Sequence, residues 1–303
     1  MAWEKFGLVY RPPRVGWQHS HAYIPTPFLI TDEIIRVYVA FLDDKKIGRI
    51  GYVDVKASDP RQIISVSKSP VLDIGEAGCF DDNGVTPMTV LQDGDRLLMY
   101  YTGWQLSSTV RYYLLTGIAE SLDGGKTYRR ISNVPILERS NEELIVRSAA
   151  HVHHDNLRWQ MWYIGGSNTI IVNGKQVPTY RLCYGESLDG IEWPRAGKIL
   201  MEPRAPEEYG FGRPWIIKKD GLYDMWYSIR TISKGYHLGY ATSTDGLDWN
   251  RKDDEVNLSA QPGDWDSEMT AFSAVIDTSY GRYLFYNGNE YGREGFGIAK
   301  WTQ

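Results

Sequence analysis

Acidic residues recur at one repeated place in this 303-residue chain. Asp81-Asp82-Asn83, Glu142-Glu143, Glu207-Glu208 and Asp266-Ser267-Glu268 each lie a few residues ahead of an apolar run, and Gln18-His19-Ser20-His21 stands at the corresponding place before the first run. Carboxyl groups held close together repel when ionised, which raises the pKa of one and leaves another charged. That division puts a general acid beside a general base at neutral pH, and glycosidic-bond chemistry uses such a pair. Asp81 or Asp82 and Glu142 or Glu143 are therefore the candidate base and acid, with Asp266 and Glu268 shaping the far wall. His19, His21, Asn83 and Glu208 share the same loops and are candidate substrate contacts.

Two arginines, Arg147 and Arg213, sit at or next to the start of apolar runs, where each could hold a carboxylate or clamp an anionic substrate group with its forked donors. Near the C-terminus, the amides of Asn287 and Asn289 in Tyr286-Asn-Gly-Asn-Glu-Tyr-Gly-Arg-Glu-Gly-Phe-Gly-Ile298 can exchange hydrogen bonds with sugar hydroxyls. The glycines there lack the helix and βαβ setting of a phosphate loop. His151, His153 and His154 are read as structural, because strand alternation would split them between two faces. Cys79 and Cys183 are read as two buried thiols rather than a disulfide. No cofactor or metal is expected.

An internal repeat must position these groups. Segments ending in an aromatic pair recur as Arg96-Leu-Leu-Met-Tyr-Tyr-Thr102, Arg158-Trp-Gln-Met-Trp-Tyr-Ile164, Leu222-Tyr-Asp-Met-Trp-Tyr-Ser228 and Arg282-Tyr-Leu-Phe-Tyr-Asn287, with a fainter copy at Arg36-Val-Tyr-Val-Ala-Phe-Leu42. Registered on Phe41, Tyr101, Tyr163, Tyr227 and Tyr286, the intervals are 60, 62, 64 and 59 residues. The preceding runs, registered on Pro25, Pro87, Ser148, Pro214 and Phe272, give 62, 61, 66 and 58. A third strand follows each pair, and three units then read Ser121-Leu-Asp-Gly124, Ser187-Leu-Asp-Gly190 and Ser243-Thr-Asp-Gly246. Asp-Gly supplies a positive-φ hairpin turn into a fourth strand.

Four strands recurring five times without helical periodicity predict an all-β chain: a five-bladed β-propeller of four-stranded antiparallel blades, forming one domain. The expected blades are 16–80, 81–141, 142–206, 207–265 and 266–303 plus 1–12. The last repeat ends without its outer strand, which Trp3–Tyr10 can supply to close the ring. A solenoid would need distinct polar end repeats instead.

With these motifs, the chain resembles the five-bladed propeller glycosidases of the furanosidase superfamily, and looks most like the glycosyl hydrolase-like proteins of bacterial surface-polysaccharide gene clusters. MYYTGW, MWYIGG, MWYS, GDWDSEMTAF and FYNGNEYGREGFGIA carry the resemblance along essentially the whole chain. It implies an aspartate at the first inner strand, a second in the next blade and a glutamate in the third. Unit one offers His19 and His21 instead of the first aspartate, units two and three offer Asp81 or Asp82 and Glu142 or Glu143, so a variant of the chemistry is expected. Ser121-x-Asp123-x-Gly125 also fits the aspartate box of sialidases, which are six-bladed and need an arginine triad that Arg147, Arg213 and Arg230 supply only loosely.

Three functions are thus open: cleavage or transfer of a glycosyl group, a glycosyltransferase of polysaccharide synthesis with Arg147 and Arg213 on an anionic donor, or a non-catalytic sugar-binding propeller. A net charge of −5 without a basic cluster argues against nucleic acid as partner. The 11 Trp and 21 Tyr suit both sheet packing and sugar stacking. No apolar stretch is long enough for a membrane span and the N-terminus lacks a signal-peptide pattern, so the expected location is cytoplasmic.

Overall fold

The structure is a computed structural model that describes residues 2–155, 157–258 and 263–302. It is all-β, built of sheets of four antiparallel strands, consistent with a propeller. β1 (Ala2–Tyr10) comes first, and β2 (Ser20–Thr31), β3 (Ile34–Leu42), β4 (Gly48–Lys56) and β5 (Asp59–Val66) form the first complete unit. The second is β6 (Val85–Asp93), β7 (Arg96–Leu106), β8 (Tyr112–Ser121) and the two-residue β9 (Arg129–Arg130). In the third, β10 (Val146–His154) and β11 (Trp159–Gly166) are followed by a separate hairpin of β12 (Thr169–Val172) and β13 (Lys175–Pro178), then β14 (Arg181–Ser187) and β15 (Lys198–Met201). Its β10 touches β8 through two parallel pairs, which joins the second and third units into one eight-stranded sheet. The fourth is β16 (Glu208–Lys219), β17 (Leu222–Thr231), β18 (Gly235–Ser243) and β19 (Asn250–Arg251).

The last unit is β20 (Ala271–Thr278), β21 (Gly281–Asn287) and β22 (Phe296–Thr302), and its fourth strand is β1, paired antiparallel to β22 from Ala2↔Thr302 to Tyr10↔Phe296. The N-terminal segment thus takes the outer place that the sequence left open. No helix among the described residues is long and apolar enough to cross a membrane.

The core is divided among the seams between units. Tyr10, Val37, Phe41, Phe285 and Phe296 share one cluster between the first unit and the last, Tyr38, Phe80, Met99 and Tyr101 another between the first and second, and Trp3, Trp215, Trp226 and Leu284 a third between the fourth and last. Each large ring so buried contributes about 1.5–3 kcal/mol.

The aromatic pair repeats because its two rings have different tasks. The first reaches the next unit: Tyr100 donates to the Gly190 carbonyl at 2.9 Å and Trp162 to that of Gly246 at 2.7 Å. Those carbonyls belong to the Ser-x-Asp-Gly turns, where Gly190 and Gly246 sit at φ 74° and 76° and the Ser187 and Ser243 hydroxyls accept the glycine amides. The second ring stays within its own unit. Cys183 is buried and Cys79 only partly, against the expectation of two buried thiols, and neither is bonded to the other.

Candidate functional site

The repeated carboxylates meet the second aromatic of each pair. Tyr101 donates to Asp81 at 3.0 Å, Tyr163 to both oxygens of Glu143 at 2.9 Å, and Tyr286 to Asp266 at 2.8 Å. A cation completes each group: Arg130 from β9 at 2.8 Å, Arg147 at 2.6 Å and Lys5 from β1 at 2.6 Å. In the fourth unit the partner of Tyr227 is Asp253, and Arg251 links it to Glu208 through two 2.8 Å bonds. The first unit has Phe41, which lacks a hydroxyl, and sets Trp17 edge-on against it at 5.1 Å in place of a carboxylate. Asp81 and Asp266 are fully buried, so these are internal clasps that tie inner and outer strands.

Other expected residues have structural partners too. Arg147 also donates to the carbonyls of Glu138 and Pro194, and Arg213 to those of Pro25 and Phe272 and to the Thr26 hydroxyl, which turns their terminal N–H groups to protein oxygens instead of a substrate anion, although the Arg213 Nε keeps no acceptor. Asn287 accepts the Ile24 amide and donates to the Ala22 and Gly295 carbonyls. Asn289 accepts the amides of Glu268 and Met269 and donates to Ser267. Asp82 caps the Gly78 amide but stays half-buried, as does Asn83, while the side chains of Glu142 and Glu268 are exposed. His19 lines a concavity of about 480 Å³ with Trp17, Asp43 and Arg49, in which Asp43 and Arg49 are already paired. His151 and His154 lie against Trp215 and Trp159, at 4.9 Å and 4.1 Å between ring centres.

All five inner strands are bulged near one register, four of them through a residue of positive φ. Ile24, Ala149, Arg213 and Phe272 take φ of 56°, 55°, 43° and 55°, conformations that non-glycine residues rarely adopt. Three of their units are tethered there by the residue after the aromatic pair of the preceding unit: Asn287 holds the Ile24 amide, Thr102 that of Ala149 and Ser228 that of Phe272. Such strain, of order 1–3 kcal/mol per residue, tends to gather at functional sites, and bulges re-aim the side chains beside them.

Beside these bulges the structure assembles a collar of aromatic rings that the sequence reading missed. His21 packs on Tyr23 and Tyr23 on Phe272, with ring centres 6.0 Å and 6.5 Å apart. Phe272 in turn meets Tyr236 and Tyr291. On the far side Trp104 lies 5.0 Å from Tyr112, whose hydroxyl is 3.1 Å from that of Tyr180. Arg230 joins the two arcs, stacked over Tyr180, Tyr209 and Tyr236. Every unit contributes, mostly from strand ends: Tyr23 from β2, Trp104 and Tyr112 from β7 and β8, Tyr209 and Tyr236 from β16 and β18, and Phe272 from β20, with Tyr180 and Tyr291 just outside strands. Burial, opposed by the Glu290 carbonyl, takes His21 down to about 4, so its imidazole is neutral at pH 7. Its one visible sequence signal was the tyrosines beside each repeated strand, Tyr23, Tyr112, Tyr209, Tyr236 and Tyr291.

No family model matches the chain. It is 32% identical over 300 residues to the uncharacterized protein Rv1502 of Mycobacterium tuberculosis strain H37Rv, an alignment that covers 99% of each. The chain belongs to the Rv1502 family. A shorter stretch of 142 residues is 30% identical to a 1,2-beta-oligomannan phosphorylase of a Thermoanaerobacter species, covering 44% of this chain and 47% of that protein. Among solved structures, one titled glycoside hydrolase superposes at a TM-score of 0.77 with 19% identity, over 99% of this chain and 92% of the other. A thermostable family-43 glycoside hydrolase superposes at 0.68 with 17% identity, over 96% and 91%. The fold of this Rv1502-family chain is accordingly one it shares with these glycoside hydrolase structures.

Proposed function

We propose that this chain is a carbohydrate-active enzyme: a single-domain, five-bladed propeller, with blades near 16–80, 81–141, 142–206, 207–265 and 266–303 plus 1–12, that receives a sugar in the aromatic collar at its channel mouth. The observation that carries this reading is the collar itself, in which Trp104, Tyr112, Tyr180, Tyr236, Phe272 and Tyr291 converge from different units. Rings with an apolar face and a polar edge suit the mixed surface of a saccharide. The fold shared with glycoside hydrolases and the stretch similar to an oligomannan phosphorylase support it.

For catalysis the reading assigns acid and base roles among Asp82, Glu142 and Glu268, the members of the repeated pairs that keep contact with solvent. Asp81, Glu143 and Asp266 hold the strands. Turnover of a panel of oligosaccharides and glycosyl phosphates, with and without inorganic phosphate, tests this. Loss of turnover in Asp82→Asn or Glu142→Gln with folding intact is expected, and unchanged turnover in all three neutral variants, Glu268→Gln included, would sink the assignment.

A second reading, sugar binding without catalysis, is favoured by the commitment of three repeated carboxylates to clasps. Saccharide binding that depends on Trp104 with no turnover of any panel member would select it.

A further inference from the structure

Among the buried arginines, Arg230 stands apart. Arg36 pairs with Asp54, Arg147 with Glu143 and Arg251 with Glu208 and Asp253, while Arg213 donates to three protein oxygens. Arg230 is 6% exposed, and among the described residues no carboxylate lies within ion-pair distance of it. One of its N–H groups donates to the Pro178 carbonyl at 2.9 Å, and its Nε has no acceptor although it is buried.

A guanidinium has five donors and keeps its charge in a protein. Left buried and unpaired, that charge is costly. Aromatic faces offset part of the cost, and here the guanidinium carbon lies 4.4 Å from the centre of Tyr180, 4.5 Å from Tyr209 and 5.5 Å from Tyr236. Burial pushes the phenols of Tyr180 and Tyr236 up, so they stay neutral donors and supply no countercharge. The cup is not sealed, because Tyr209 is half-buried and Tyr291, which packs on Tyr236, is 48% exposed. A buried cation, an Nε without an acceptor and three tyrosine rings are thus gathered at one point of the collar.

We propose that Arg230 and its tyrosine cup form a subsite for an anionic substituent, a carboxylate or a phosphate, carried by the sugar that the collar receives. This rests on the reading of the collar as a sugar site. The guanidinium fork takes two oxygens of the anion, the cup orients it, and a neutral sugar leaves Arg230 unsatisfied.

The experiment is calorimetric titration of the full chain, as wild type, Arg230→Gln, Arg230→Lys and Tyr209→Phe, with glucuronate, galacturonate, glucose 1-phosphate, mannose 1-phosphate, glucose, mannose and inorganic phosphate. At least one charged sugar is expected to bind tenfold or more tighter than its neutral parent. Arg230→Gln should abolish that margin, and Arg230→Lys should keep part of it. Preference for uronates over glycosyl phosphates, or the reverse, identifies the source of the anion. Without ligand, Arg230→Gln is expected to melt no lower than wild type, since it removes an unpaired buried charge; a large drop would mark a structural arginine and overturn the proposal. If Arg230→Gln does not fold, Tyr209→Phe takes its place and should narrow the margin severalfold. Equal affinity for charged and neutral sugars overturns the subsite and leaves the sugar site standing. Arg230-dependent binding of inorganic phosphate with no sugar bound leaves the anion site standing and removes the sugar reading.

Discussion

The hydroxyl of Tyr163 sits 2.9 Å from both carboxylate oxygens of Glu143, with the Arg147 guanidinium closing the group at 2.6 Å. All three are buried, and the arrangement recurs around Asp81 and Asp266. Glu143→Gln leaves Arg147 as an uncompensated internal charge. Breaking such a pair costs about 3–5 kcal/mol, whereas Glu142→Gln at the exposed neighbour should stay within about 0.5 kcal/mol. Denaturant unfolding of the two variants side by side checks the contrast, and equal stabilities would remove the clasp from the account.

The seams between units should respond to the other ring of the pair. Tyr100→Phe removes the donor to the Gly190 carbonyl and leaves that oxygen without its partner. A loss of about 1–3 kcal/mol follows, measured by the same unfolding curves. Asp189→Ala at the turn itself frees the amides of Ile191 and Glu192 and should act in the same direction.

Acid should weaken the fold in two stages. Burial pulls His151 down to about 3 and His21 down to about 4, from 6.5 when unfolded. Protons therefore favour the unfolded chain, and the stability these histidines contribute is present above pH 6.5 and is lost progressively below it. His151→Phe should flatten that part of the profile. Below pH 4 the carboxylates join: burial raises Asp123, but bonds from Thr127, Ser121 and backbone amides outweigh it and hold the group at about 2. Its share of stability disappears as pH falls from 3.8 toward 2. Unfolding free energy measured from pH 8 to 2 tests both windows, and a flat profile between 6.5 and 4 would contradict the histidine account.

Trp104→Ala opens the collar at the tryptophan that packs on Tyr112. A stacked ring contributes about 0.5–1.5 kcal/mol beyond its area, so saccharide affinity should fall about threefold to tenfold. Tyr112→Phe, which breaks the 3.1 Å contact with Tyr180, should have the smaller effect. Titration with whichever sugar binds wild type reads both.

The repeat itself was legible because strands, aromatic pairs and Asp-Gly turns are local, and each unit repeats them within a few residues. The place of the carboxylates was legible as well, but their purpose was not. Asp81 and Asp82 are neighbours whose side chains part company, one buried on Tyr101 and one turned outward. The cations that claim the buried members arrive from 49 and 261 residues away in the cases of Arg130 and Lys5. One clue did lie in the open: the unit without a carboxylate is also the unit whose second aromatic is Phe41, so hydroxyl and acid vary together. The collar's one mark was weaker, tyrosines scattered beside the repeated strands. Tyr23, Tyr112, Tyr236 and Tyr291 are each unremarked in their own segments, and become one surface only when the bulged inner strands bring the units around a common centre.

The pairing of β1 with β22 has a mechanical side. Because Ala2 lies opposite Thr302 and Tyr10 opposite Phe296, the two chain ends emerge together from the same end of one ladder. A force that pulls those ends apart does not load all the bonds of the pair at once; it peels them singly, beginning at Ala2. The seam that completes the molecule is therefore the one that tension opens with least resistance, and an optical trap gripping both termini should see β1 unzip well before the interior sheets give way.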